Sequence, residues 1–183
     1  MLSVPVRKPR RKRKQQAGLS MIEAMVAILL LSFGLTALAG FQLRVLADSA
    51  GASNKNIAVQ LAGDMADRIR ANLVAGAASN SPYVANWSAA SATAPEPLCA
   101  GTSATCTAAQ LAANDLWNWK RAVAAALPGG QANVQSNEAV GGLLFVHIAW
   151  NEPAVSNPIA PDSNWNCPTG KACMEVVVAV PQP

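Results

Sequence analysis

Apolar and polar residues along the chain fall into stretches of different period. From Ala24 to Leu43 there are 20 consecutive uncharged residues; as a helix rising 1.5 Å per residue they span about 30 Å, one bilayer crossing. Past Arg44 polar residues return, yet Ile57, Leu61, Met65, Ile69 and Leu73 recur every four residues, and Ala58, Ala62 and Ala66 widen the same face. That period predicts an amphipathic helix whose stripe packs on a sheet of the same chain. Asp64 and Arg68 stand at i, i+4 with the acid first, the favourable order on a helix surface. No proline interrupts residues 10–81. One helix over 19–73 follows, its transmembrane part at about 24–46. Gly34 and Gly40 are its weak points, each costing up to about 1 kcal/mol against alanine.

Residues 74–107 are rich in Ala, Ser, Asn and Pro and lack a period, which predicts a long exposed loop. Thr107 and Gln110 then have capping-box spacing, and Ala112, Leu116, Trp119, Val123 and Leu127 continue at spacings of three and four. A second helix therefore ends at Pro128-Gly129-Gly130, with Trp119 in the core and Trp117 not assigned to core or surface. Residues 143–150 are apolar on nearly both faces, and 174–180 are rich in β-branched residues. Both read as strands, with a shorter one around 131–136 pairing with the first. The pattern predicts an α+β fold, a small antiparallel sheet lying on a long helix.

Composition sharpens this picture. The length of 183 residues bounds the chain to one modest domain with an appended segment. Its 13% charged content is about half the usual share, in keeping with a membrane segment and an Ala-rich remainder. The net charge of +4 hides an uneven distribution, because seven of the fourteen basic residues lie within 1–18 and no acidic residue does. Residues 19–183 then carry seven basic and ten acidic groups, net −3, which argues against a nucleic-acid partner. The basic excess ahead of the apolar stretch orients residues 1–18 toward the cytoplasm and the domain of 74–183 across the membrane, in the periplasm. A cleaved secretory signal is the competing reading; its apolar core would be too long, and only Leu46 to Ala50 offers a cleavage-like ending.

The candidate chemistry is sparse. Glu23 sits at the start of the apolar stretch, where a carboxylate costs a few kcal/mol unless paired. Cys99, Cys106, Cys167 and Cys173 lie beyond the membrane segment and read as disulfides rather than a metal site. Four cysteines allow three connectivities, and short loops favour Cys99 with Cys106 and Cys167 with Cys173. His147, the only histidine, lacks a second histidine or a paired carboxylate nearby in sequence and reads as a strand residue. Glu138 and Glu152 stand isolated. With no nucleophile–base pair, phosphate loop or metal-ligand cluster, neither an enzyme nor a cofactor is expected.

The string from Gln15 to Leu29, with Gly18, Leu19, Ser20 and Glu23 at its centre, resembles the class III signal of type IV prepilins and type II secretion pseudopilins. That pattern is a basic leader, Gly, an apolar residue, Ser or Thr, two apolar residues, Glu and a long apolar run. The resemblance implies a type IV pilin-like fold, cleavage after Gly18 by a prepilin peptidase, and N-methylation of Leu19. It also implies that Glu23 of one subunit pairs with the new Leu19 amine of a neighbour. Many major pilins have a proline where this chain has Gly40. The segment from Asp115 to Gly130, and a Trp150 strand followed by a Cys-containing loop and a valine-rich strand, resemble minor pilins of the PilV type. This implies an inner-membrane, single-pass protein that later joins the pilus tip. Its partners would be other minor pilins, the major pilin and the inner-membrane assembly platform. Alternatives are a minor pseudopilin of a type II secretion system and a tip adhesin using loops 74–107 and 151–172.

Overall fold

In the computed structural model, which describes residues 20–101, 105–137, 142–152 and 166–181, the proline-free stretch forms helix α1, Met21–Ala71. The chain divides into two units between Leu43 and Arg44, and each is described by itself. In the first unit every described side chain of α1 is exposed, including Met25 (69%), Leu30 (64%) and Phe33 (70%). The hydroxyls of Ser32 and Thr36 turn back onto the carbonyls of Ile28 (2.8 Å) and Ser32 (2.9 Å). The polar side chains are thereby satisfied inside the helix, as an apolar environment demands. Among the described residues this is the one helix long and apolar enough to cross a membrane.

The second unit is built on the amphipathic part of α1. Ala58, Ala62, Met65 and Ile69 are fully buried and Ala66 nearly so, while Ile57 and Leu61 are half-buried. The buried stripe therefore combines Met65 and Ile69 of the four-residue repeat with the alanines beside them, and Ile57 and Leu61 lie at its margin. Leu73 departs from the expectation altogether and is 51% exposed. The reason is Asn72, whose non-helical backbone (φ −106°, ψ 66°) ends α1, so that Leu73 begins a separate short helix α2, Leu73–Gly76. Asn72 still donates its N–H to the carbonyl of Arg68 (3.1 Å), while its side chain donates to Tyr83 Oη (3.2 Å) and the carbonyl of Ala108 (2.8 Å).

The loop expected over 74–107 contains a strand, β1, Ala85–Ser88. Its residues alternate in burial, as a strand's do, but over four positions only, and the pairing with the next strand shifts register within it. Helix α3, Ala108–Ala126, starts at the predicted capping box: Thr107 Oγ1 accepts the Gln110 N–H, and Gln110 Oε1 accepts the Thr107 N–H (2.9 Å). It ends at Leu127, after which Gly129 (φ +60°) and Gly130 turn the chain; a Cβ on Gly130 would collide with the carbonyl of Val123. Strands β2 (Gln131–Ser136), β3 (Leu143–Trp150) and β4 (Ala172–Ala179) complete an antiparallel sheet of order β1-β2-β3-β4.

One core joins these elements. Ala132, Val134, Leu144, Val146, Ile148, Trp150 and Val178 of the sheet share a cluster with the α1 stripe and with Ala112, Trp119, Val123 and Leu127. The α+β fold with a long N-terminal helix, a small antiparallel sheet and one additional helix is the architecture observed. Trp119 is the largest fully buried side chain of α3, and its indole N–H donates to the carbonyl of Leu61 on α1 (2.8 Å). Trp119→Ala removes both the volume and the hydrogen bond. We expect it to cost about 3–5 kcal/mol, read as a lowered urea midpoint; a loss below about 1 kcal/mol would contradict this role.

Candidate functional site

Helix α1 opens on a local hydrogen-bond arrangement. Ser20 Oγ accepts the N–H of Glu23 (3.3 Å), and its carbonyl accepts from Glu23 (3.0 Å) and Ala24 (3.2 Å), which makes Ser20 the N-cap. Glu23 then lies in the first turn, where an anion opposes the positive end of the helix dipole. The Ser-x-x-Glu spacing of Ser20 and Glu23 is the sequence signal of this cap. Gly18 and Leu19, the expected cleavage and methylation positions, lie outside the described residues, as does the leader 1–18. What the described part offers is a capped helix start bearing one carboxylate, ahead of an apolar surface that no part of its own unit covers.

Two features of the globular unit could carry chemistry. The first is a polar cluster joining α1, the segment after α2 and α3. Arg68 donates to Asp64 (2.9 Å), as the i, i+4 spacing predicts, but also to Asp115 on α3 (3.1 Å). The hydroxyl of Tyr83 donates to the second oxygen of Asp115 (2.8 Å). Asp115 is nearly buried, yet both its oxygens are engaged, so the carboxylate is compensated rather than poised to react. Burial pushes the Tyr83 phenol well above its ordinary value, which keeps the hydroxyl a donor. Sequence reasoning missed Asp115, Asn72 and Tyr83 as a cluster; the signal was the single tyrosine of the chain, since a lone buried phenol needs a partner.

The second is His147, whose sequence neighbours include no carboxylate. Register corrects that reading: β3 and β4 place His147 directly opposite Glu175, with Nε2 2.9 Å from Glu175 Oε2 and Nδ1 3.2 Å from Asn133 Oδ1. The Trp87 ring lies 5.9 Å from the imidazole. Burial pushes the imidazole pKa below its ordinary value, against the opposing pull of Glu175. Glu152 is likewise not isolated, since its carboxylate lies 3.7 Å from Lys55 Nζ on α1. Glu138 lies outside the described residues. Among the described residues no three His, Cys, Asp or Glu side chains come together as a metal site would require.

The remaining candidates hold the domain together. Cys99 joins Cys106 and Cys167 joins Cys173, with Cα atoms 6.0 and 6.2 Å apart. Lys171, inside the second loop, donates to the carbonyl of Gly129 and to Asn151 Oδ1 (2.9 Å), clamping the α3–β2 turn to the end of β3. Trp117 is a surface residue: its indole donates to the carbonyl of Ser91 (3.1 Å) and Arg121 stacks 4.5 Å over its ring. Lys120, whose pKa burial lowers, ties α3 to the carbonyl of Asn86 (2.9 Å) and Ser88 Oγ (2.8 Å) of β1.

Comparison with known families supplies what the geometry leaves generic. Residues 13–39 match the prokaryotic N-terminal methylation motif, and residues 40–117 match the family Type IV pilin Tt1218, so the two matched stretches abut. Neither the curated proteins nor the solved structures give a match. On the two family matches the chain is a type IV pilin with a prepilin methylation motif, and so a pilus component.

The imidazole gives this domain a pH dependence of definite sign. A histidine whose folded pKa lies below its unfolded value binds fewer protons folded than unfolded, so stability falls as pH drops below about 6.5 and toward the folded pKa. The thermal midpoint, followed by circular dichroism, is expected to decline from pH 7 to about 5.5, and His147→Gln should flatten that slope. An unchanged slope in the variant would assign the dependence to other groups.

Proposed function

We propose that this type IV pilin is a minor pilin of the PilV type, which helps to start pilus assembly within a minor-pilin complex at the tip. The observation that carries the reading is one constellation: a basic leader, Gly18, a Ser20-capped helix start, Glu23, and 20 uncharged residues of which those up to residue 39 fall in the matched methylation motif. The prepilin peptidase cleaves after Gly18 from the cytoplasmic side and methylates the amine of Leu19. The domain of residues 74–183 lies in the periplasm. The role is structural, without a catalytic site or cofactor. Its partners are the major pilin, other minor pilins and the inner-membrane assembly platform. The minor-pilin assignment rests on the likeness of residues 115–130 and of the Trp150 strand, Cys loop and valine-rich strand to that group.

Cleavage gives Glu23 a task. The freed Leu19 amine is a cation in apolar surroundings, and the Glu23 carboxylate of a neighbouring subunit compensates it, so two charges costly alone become favourable together. The pairing favours the assembled state over the isolated subunit.

Gly18→Val should leave the basic leader attached, seen as a precursor mass and an unmethylated chain. Glu23→Ala should be processed normally but enter filaments about tenfold less or worse, since a charge-assisted contact is worth about 1.5–3 kcal/mol. Incorporation at the unsubstituted level would sink the pairing. Deletion of the chain, scored for surface pili and twitching against exoprotein secretion, tests the assignment to pili. Loss of secretion with normal pili would move the protein to a type II secretion system.

A further inference from the structure

The two edges of the sheet are built differently. Edge strand β1 has four residues and a register shift, devices that discourage further pairing. Edge strand β4 has eight residues in uninterrupted register with β3, and between Ala172 and Ala179 it contains no proline, glycine or lysine. Pro181 comes only after it ends.

Hydrogen-bond parity identifies the groups that face outward. The N–H of Val180 donates to the carbonyl of Gly142 (2.7 Å), so residues 180 and 142 form a hydrogen-bonded pair and every second residue of β4 points its backbone at β3. On the opposite side, the N–H of Asn137 donates to the carbonyl of Leu143 (3.0 Å), which assigns the odd residues of β3 to β2 and leaves its even ones for β4. Cys173, Glu175, Val177 and Ala179 therefore direct their N–H and C=O groups away from the sheet. Among the described residues none of those groups has a hydrogen-bond partner.

The core is also open along this edge. Met174 and Val176 point to the helix side with Val178, yet only Val178 is fully buried; the other two are partly buried. On the other face Val177 is 49% exposed, and Glu175 is the only charged residue of β4.

We propose that the outer edge of β4 is a docking site for an extended segment of a different protein chain, which adds a fifth strand to the sheet. The row of outward backbone groups calls for an extended backbone, because only a strand matches their spacing. Met174 and Val176 call for apolar side chains at alternate positions on the helix side. Glu175 gives Oε2 to His147 (2.9 Å), and its remaining oxygen calls for a lysine or arginine on the other face, since opposite charges across strands attract and like charges repel. This edge function does not depend on the minor-pilin assignment.

The test uses the full chain in detergent micelles, with an octapeptide of alternating valine and lysine as the probe. Binding is expected together with slowed hydrogen exchange at the amides of Cys173, Glu175, Val177 and Ala179. The same peptide with glutamate for lysine, or with its edge amides N-methylated, should bind about tenfold more weakly or worse. Val177→Pro removes one outward N–H without touching the β3 ladder and should abolish binding while the melting transition is kept. If that variant misfolds, the N-methylated peptide still decides. Absence of binding, equal binding of the N-methylated peptide, or protection of these amides in the free chain overturns the proposal. A peptide-free dimer lost in Val177→Pro would give the edge to a second copy and overturn the proposed occupant.

Discussion

Twenty uncharged residues whose side chains the chain itself does not bury impose the central constraint on this protein. Apolar surface of that extent has to be covered by lipid or by other apolar helices, since water is the least favourable of the three surroundings. Every polar atom within the stretch must then be satisfied locally. Ser32 and Thr36 meet that demand by bonding to carbonyls one turn back, and Ser20 meets it at the helix start. The amide of Gln42 and the carboxylate of Glu23, just ahead of the stretch, are not met in this way, and a carboxylate cannot be neutralised by backbone geometry alone.

The globular unit solves a different problem, how to seat a helix against a sheet with few charges. Its α1 stripe presents alanines at 58, 62 and 66, so that large side chains from α3 and the sheet supply the volume. Trp119 fills the space and anchors itself to the Leu61 carbonyl. Polar ties then fix the helices where apolar packing is non-directional: Asp115 bridges Arg68 and Tyr83, and Asn72 bridges Tyr83 and the start of α3. The residue that makes this bridge, Asn72, has non-helical backbone angles, so α1 stops there and its periodic pattern does not run on to Leu73.

Elements with a long period were legible in the sequence, and those defined by pairing were not. Helix α3 announced itself through Thr107, Gln110 and five spaced apolar residues; β3 and β4 did so through runs of apolar and β-branched residues. Strand β1 has four residues and only two paired positions, so its existence depends on β2 being there to receive it. The partners of His147 and Glu152 were hidden for the same reason. Glu175 lies 28 residues from His147 and meets it through strand register, and Lys55 reaches Glu152 from another element. Local spacing carries information about a residue's own element, whereas a cross-strand contact needs the register of two.

That distinction also bears on why the N-terminal constellation is readable at all. Cap, carboxylate and apolar run are consecutive, so each constrains the next without tertiary help: Ser20 fixes where the helix begins, and that in turn fixes Glu23 in its first turn. The dipole of the helix favours an anion at this end and disfavours a cation. On the proposed processing, a new amine appears one residue before the cap, at the end where a cation is least welcome. Compensation by a carboxylate is then required by the helix that carries the amine, which makes an unpaired processed subunit the less favourable state and gives assembly its direction.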